Sequence, residues 1–297
     1  MGRTHFYSVE PSQLISLIHM HTSFRVTEYR LLLEGWDNVV LQANGSHVFR
    51  FTRRPDVSKQ LRKEAQLLLT LSKHLMLRVP TPEYVWMDGD PPHFMGYRVI
   101  PGEQLRDSHM HDSNRSRYSS SLAVFLTQLQ GIPLEEVGDL VPRYTGGDWR
   151  SLYLGLREKV GKLVAPRLQK VASGLLGDFD GYLEEPANFR FSPRLIHHDL
   201  SSDHILHDPA TGNLTGVIDW GDSCISDPAF DITGLLADYG LAFAKAVTAA
   251  KGDPAEYLER AGFYARNVGV HQVLHGLKVG DRAHVEAGLR RLKTDYT

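Results

Sequence analysis

The chain has 297 residues, and its 33 lysines and arginines against 35 aspartates and glutamates leave a net charge of −2. That balance excludes the broad positive field on which nucleic-acid binders depend. With 42% hydrophobic and 23% charged residues the composition is that of a folded globular chain, and at roughly 150 residues per domain its length suggests about two lobes. Cys224 stands alone, so the chain has no intramolecular disulfide and no C-x-x-C metal or redox spacing, which suits a reducing cytoplasm. No signal-peptide core follows Met1, and no run of about 18 apolar residues offers a membrane span. The expectation from composition is a cytoplasmic chain without a nucleic-acid or membrane partner.

From Arg25 to Thr52 the chain reads as strands, with Val26, Tyr29, Leu31 and Leu33 in one run, then Trp36 to Gln42, then Val48 to Thr52. Asn44-Gly45 between the last two predicts a hairpin, because a type I′ turn needs positive φ at both central residues. From Val57 to Leu75 the period changes: Leu61, Ala65, Leu68, Leu71 and Leu75 recur every three or four residues, as on an amphipathic helix. Glu83 to Met87 and Phe94 to Ile100 predict two further strands around the turn Asp88-Gly89-Asp90, and Pro101-Gly102 ends this half. Beyond residue 105 helices are predicted over Ser116–Gln130, Trp149–Val164, Arg167–Leu183, Ala229–Ala250, Pro254–Gly280 with a break near Gly269, and Arg282–Leu292. One hairpin interrupts them, Ile205-Leu206 and Leu214 to Ile218 joined by Asp208-Pro209-Ala210-Thr211-Gly212. The texture places a β-rich lobe at 1–100 and a helical lobe carrying that hairpin at 101–297.

The residues flanking this hairpin carry the chemistry. His197-His198-Asp199-Leu200-Ser201-Ser202-Asp203-His204 enters it, and Val217-Ile218-Asp219-Trp220-Gly221-Asp222 leaves it. Two carboxylates, Asp199 and Asp219, thus follow apolar strands beside a further possible metal ligand, His204. Phosphoryl transfer needs a carboxylate to orient a hydroxyl and accept its proton, ligands for Mg²⁺ on the nucleotide, and a cation at the phosphates. The hairpin supplies the first two requirements.

His197-x-Asp199-x-x-x-x-His204 followed by Ile218-Asp219-Trp220-Gly221 resembles the catalytic loop and metal-binding aspartate of the aminoglycoside phosphotransferase family, which has the bilobal protein-kinase-like α+β fold. Ser201-Ser202-Asp203-His204-Ile205-Leu206, Asp219-x-Gly221-Asp222 and Ile225-Ser226-Asp227-Pro228 are most similar to its 2″-phosphotransferase branch. The resemblance spans about residues 25 to 240. It implies Asp199 as catalytic base, His204 and Asp219 as Mg²⁺ ligands, ATP or GTP as phosphoryl donor, and a small-molecule acceptor for a chain expected to be a monomer. In the same scheme a basic residue on the third strand of the small lobe contacts the nucleotide phosphates and pairs with a helix glutamate. Val48-Phe49-Arg50-Phe51 puts Arg50 there, and Glu64 on the next helix is its candidate partner.

Three positions depart from the superfamily pattern. Arg50 stands where lysine is usual, and its planar fork needs different space. Gly35-Trp36-Asp37-Asn38 replaces a glycine-rich nucleotide loop, with Asn38 assigned to nucleotide covering. His204 replaces asparagine, and imidazole is a softer Mg²⁺ ligand than a carbonyl oxygen, yet the exchange is normal in the 2″ branch. Tyr97 is expected at the back of the base pocket, with the backbone at Val99 pairing with the purine edge; a bulky Tyr97 would disfavour adenine and leave guanine acceptable.

Other motifs read as structural. Gly155 to Lys162 misses the P-loop spacing and has Leu163 where Ser or Thr is needed. His271-x-x-x-His275 lacks the glutamate of a zinc protease motif. His197 reads as a buried brace, and Asp231 as a helix cap or a support for the catalytic loop. An aminoglycoside is a polycation and calls for carboxylates, for which Asp203, Asp222 and Asp238 are the candidates. The weakly acidic Tyr239-Gly240-Leu241-Ala242-Phe243-Ala244 stretch keeps open a macrolide, or a metabolic acceptor such as a sugar, homoserine or choline. A nucleotide-binding pseudokinase is the non-enzyme alternative, and the presence of Asp199, His204 and Asp219 argues against it.

Overall fold

A computed structural model describes residues 10–32, 38–89, 92–252 and 255–297 of the chain. The Gly35-Trp36-Asp37 turn, Leu33, Asp90 and Pro254 lie outside the described residues. In chain order the first half holds α1 (Pro11–His21), β1 (Tyr29–Leu32), β2 (Asn38–Ala43), β3 (His47–Thr52), α2 (Pro55–His74), β4 (Pro82–Trp86), β5 (Phe94–Arg98), β6 (Glu103–Gln104), α3 (Asp112–Gln130) and α4 (Leu134–Val137). There follow α5 (Gly146–Lys159), α6 (Ala172–Glu184), β7 (Arg194–Ile196), β8 (Ile205–Asp208), β9 (Asn213–Val217), β10 (Cys224–Ser226), α7 (Phe230–Lys251), α8 (Ala255–Arg266), α9 (Val268–Val279) and α10 (Arg282–Asp295). The N-terminal part is built on a sheet and the C-terminal part is helical, as the texture of the sequence suggests. By contacts the chain divides into two compact units: Met1–Leu105 with Ile132–Val141 and Asp203–Ser223, and Arg106–Gly131 with Pro142–Ser202 and Cys224–Thr297.

In the sheet unit the strand order is β1-β2-β3-β5-β4, and every neighbouring pair is antiparallel. Asn44 and Gly45 turn β2 into β3 with φ of 51° and 62°, the positive pair that a type I′ turn requires. Asn44 does more than turn: its Oδ1 accepts from the Thr27 and Glu28 amides while its Nδ2 donates to the Arg25 carbonyl, tying the chain before β1 to the hairpin. α2 buries Leu61, Ala65, Leu68 and Leu71, the stripe read from its period. α1 was not apparent from texture, although Pro11 suits a first helical position and Leu14 and Ile18 are spaced one turn apart. Those two residues are buried with Val39, Leu41, Phe49, Phe51 and Phe94 in the core of the unit. β6, β8 and β9 form a second, three-stranded sheet, joined to the rest by the Val217 amide on the Arg78 carbonyl at 2.9 Å.

The helical unit packs around Trp149, Tyr153, Val160, Phe179, Tyr182 and Phe263. The helix expected over Arg167–Leu183 begins only at Ala172, because Gln169 takes a φ of 51° and the chain before it runs as short 3₁₀ turns. α7 is interrupted at Gly240, whose φ of 82° and ψ of 170° are not helical. The break expected near Gly269 falls at Asn267, between α8 and α9. β7 pairs with β10, and the residue that follows this pair, Asp227, is fully buried. Arg260 grips it with two bonds of 2.6 and 3.0 Å, the Tyr264 hydroxyl donates to it at 2.9 Å, and its Oδ1 accepts from the Ala229 amide. Tyr264 in turn accepts from Trp149 Nε1 and from the Tyr182 hydroxyl, so the phenol uses its one proton and both lone pairs. A buried charge satisfied in this way fixes the entry to α7.

Candidate active site

In the sheet unit β3 carries Arg50 inward and α2 carries Glu64 toward it. The guanidinium donates to Glu64 Oε1 at 2.5 Å; Arg50 is buried and Glu64 nearly so. Burial pulls the Arg50 guanidinium down, but the charges of Glu64, Tyr97 and Asp219 outweigh it and hold it above the ordinary arginine range. Burial raises the Glu64 carboxyl, and Arg50 offsets this only in part because Asp219 and Asp222 add negative charge. Arg50 is therefore a permanent cation that faces more than one anion. Tyr97, on β5, is buried, and burial pushes its phenol up to about 12 against the pull of Arg50.

The β8–β9 hairpin brings the two proposed metal ligands together. Ile205 pairs with Val217, and the Ile218 amide donates to the His204 carbonyl at 2.9 Å, so residues 204 and 219 emerge side by side. His204 Nε2 and Asp219 Oδ2 stand 3.6 Å apart, with the imidazole 17% and the carboxylate 56% exposed. Asp219 has a φ of 64°, a left-handed conformation that costs a non-glycine residue about 1–3 kcal/mol and that clusters at functional sites. Trp220 behind it is buried and donates its indole N–H to the Val217 carbonyl. Asp203 and Asp222 are exposed, and the Asp203 carbonyl accepts from the Gln104 amide.

Two nucleotide candidates sit differently from their sequence reading. The Val99 amide is already bonded to the Ser46 carbonyl at 2.9 Å, so it is not available to a purine edge; only its carbonyl can serve. Asn38 pairs with Thr52 in the sheet and is buried, and its Oδ1 has no hydrogen-bond partner among the described residues. A cavity of about 450 Å³ lined by Leu75, Arg78, Glu83, Arg98, Val99 and Ile100 shares only Val99 with the candidate set.

In the helical unit Asp199 is exposed on the loop after β7. His197 is fully buried beneath it and accepts the Asp199 amide on Nδ1 at 3.3 Å. His198 takes a φ of 72° and lays its ring 4.4 Å from that of Phe230. Of the two structural roles open to Asp231, the loop support is present: its carboxylate accepts the His197 and His198 amides at 3.2 and 2.9 Å. Burial pushes Asp231 up to about 7 against those two donors. Asp238, read from sequence as an acceptor ligand, accepts the Ser202 amide at 2.7 Å. Gly234 lies between them on α7, where a Cβ would stand 2.1 Å from the Leu200 carbonyl oxygen. Gly234 and Ser202 were missed in the sequence, where the readable signal was Asp-x-x-Gly-x-x-x-Asp at one helical face.

The phosphotransferase enzyme family profile matches residues 28–264. Viomycin phosphotransferase of Streptomyces vinaceus is 25% identical over 256 residues, covering 82% of this chain and 86% of that protein. The aminoglycoside phosphotransferase APH(2″)-IIIa, solved with GDP and kanamycin, superposes with a TM-score of 0.87 at 30% identity, over 94% of this chain and 97% of that one. A macrolide 2′-phosphotransferase from Brachybacterium faecium shares the fold, with a TM-score of 0.75 at 21% identity over 95% and 97% of the two chains.

Proposed function

The chain belongs to the phosphotransferase enzyme family, and from that premise we propose that it transfers the γ-phosphoryl group of GTP or ATP to a hydroxyl of an aminoglycoside, in the manner of an antibiotic-resistance kinase. The observation that carries the reading is the pairing of His204 with Asp219 at 3.6 Å in the same unit as the buried Arg50–Glu64 pair, whose charges sense Asp219. In this reading Asp199 orients the acceptor hydroxyl and takes its proton, a contribution of about 10²- to 10⁴-fold. Arg50, held by Glu64, faces the nucleotide phosphates.

The donor set suits Mg²⁺ through the exposed Asp219 carboxylate. The imidazole of His204 is a softer ligand, and direct or water-mediated contact would both be compatible with its position. Mg²⁺ held there supplies neutralisation of charge on the phosphates during transfer. Tyr97, bulky and buried, narrows the base pocket and favours guanine, in keeping with the GDP found in APH(2″)-IIIa. Asp203 and Asp222, exposed in the sheet unit, are the carboxylates offered to a cationic acceptor.

The test is nucleoside-diphosphate release with GTP and separately with ATP, against 4,6- and 4,5-disubstituted aminoglycosides, viomycin and a macrolide, with Asp199→Ala as the blank. Release stimulated by an aminoglycoside and lost in Asp199→Ala is the expected result. Stimulation by viomycin or the macrolide alone would move the acceptor class, and binding of neither nucleotide would overturn the reading.

A further inference from the structure

The loop that carries Asp199 is eight residues long, from His197 to His204, and joins β7 to β8. A reacting group on such a loop is useful only if something rigid fixes it, to within about half an ångström. α7 supplies the support from a single face. Residues 231, 234 and 238 are spaced i, i+3, i+7, which places them on one stripe of a helix, and all three precede the break at Gly240. Each meets the loop backbone at a different point: Asp231 holds the amides of His197 and His198, Gly234 admits the Leu200 carbonyl, and Asp238 holds the Ser202 amide at 2.7 Å. Asp199 is therefore bracketed on both sides by backbone contacts to one rigid element.

We infer that Asp238 is a positioning residue for the Asp199 loop and not a carboxylate that binds the acceptor. Its Oδ2 is engaged with a backbone donor, and a charge-assisted bond of this length is among the stronger that a side chain makes to backbone. What the reaction requires of Asp238 is then an acceptor atom at that place and not a negative charge toward the substrate. The inference rests on phosphoryl transfer from this loop, and it gives charge recognition of a cationic acceptor to other residues.

The experiment compares Asp238→Ala and Asp238→Asn. With GTP and kanamycin, Asp238→Ala is expected to lower kcat by about tenfold or more while KM for kanamycin stays within about twofold, and Asp238→Asn, which keeps an acceptor oxygen, to recover most of the loss. Hydrogen exchange over residues 197–204 is expected to quicken in Asp238→Ala with no acceptor present. A raised KM with kcat intact in both variants would overturn the inference, and so would unchanged exchange in that segment. Should Asp238→Ala not fold, Asp238→Asn decides alone: a raised KM for kanamycin contradicts positioning, and retained kcat and KM support it. Should kanamycin prove not to be a substrate, the exchange measurement still reads the loop, so failure of the functional reading and failure of this one are told apart.

Discussion

Arg50 and Glu64 share a buried bond, and what it provides is orientation more than stability, since desolvating two charges consumes most of what their attraction returns. A guanidinium held this way faces Asp219 and Tyr97 without freedom to swing out. Asp231 is a different kind of buried charge, since its carboxylate has two backbone donors and no cation bonded to it among the contacts described. Its proton is held up to about 7 in the fold against an ordinary 3.8. Between those two values the folded chain binds a proton that the unfolded chain has released, so stability attributable to this group falls as pH rises through the window, by at most about 1.4 kcal/mol per pH unit. Asp231→Asn keeps one acceptor and has nothing to titrate. Its unfolding free energy by urea, set against that of the parent from pH 4 to 8, is expected to start lower and to gain on the parent as pH rises. A difference that stays constant with pH would show that Asp231 titrates normally. At this scale the sequence was informative where neighbours in space are neighbours along a hairpin: the pairing of Ile205 with Val217 brings His204 to Asp219, and β3 followed by α2 brings Arg50 to Glu64. For contacts from a helix some thirty residues downstream the sequence was less decisive: Asp231 read equally as a helix cap or a loop support until its bonds to the His197 and His198 amides settled it, and the Asp238 bond to the Ser202 amide left no local trace.

α7 shows how one element can carry two glycines for opposite reasons. At Gly234 the backbone is helical and the constraint is space, because a Cβ would lie 2.1 Å from the Leu200 carbonyl oxygen. At Gly240 nothing lies within 4 Å of a built Cβ, and the constraint is the backbone itself, with φ at 82°. Alanine at either site is expected to cost roughly 1–3 kcal/mol, by overpacking at the first and by backbone strain at the second. Function should separate them. Gly234→Ala pushes against the residue next to Asp199 and is expected to lose turnover beyond what its thermal melt explains, while Gly240→Ala should keep turnover at temperatures where it remains folded. Equal activity loss in the two, at matched stability, would mean that α7 does not hold the loop directly. Elements with a strong period or a turn signature were readable in advance, as with α2 and the Asn44-Gly45 hairpin. The start of α6 was not, because Gln169 adopts a positive φ that no turn residue announces, and neither was α1, whose two core residues are too few to set a period.

At the scale of the whole chain the notable fact is interleaving. The change of texture near residue 100 suggests a boundary there, but the sheet unit is completed by residues 132–141 and 203–223, which return from the helical half of the sequence. Tertiary pairing sets this, and composition does not reveal it: β8 and β9 are short apolar strands inside a helical stretch, and what they join is decided by Leu105 N–H on the Ile205 carbonyl, Val217 N–H on the Arg78 carbonyl, and β6 on β8. Lys63 on α2 adds a bond to the Asp139 carbonyl in the other returning segment. A fragment of residues 1–105 therefore keeps its five-stranded sheet and α2 in sequence but loses buried Val217 and Trp220 and strands the backbone groups of Arg78 and Leu105. Each polar group left without its partner costs about 1–3 kcal/mol where water cannot reach it, against a net stability of about 5–15 kcal/mol for an ordinary domain. The fragment is expected to show poor amide dispersion by NMR and no cooperative melt, and covalent addition of residues 132–141 and 203–223 through short linkers to restore both. A well-dispersed, cooperatively melting 1–105 fragment would mean that the returning segments decorate the sheet unit without completing it, and that His204 and Asp219 reach a scaffold already folded before they arrive.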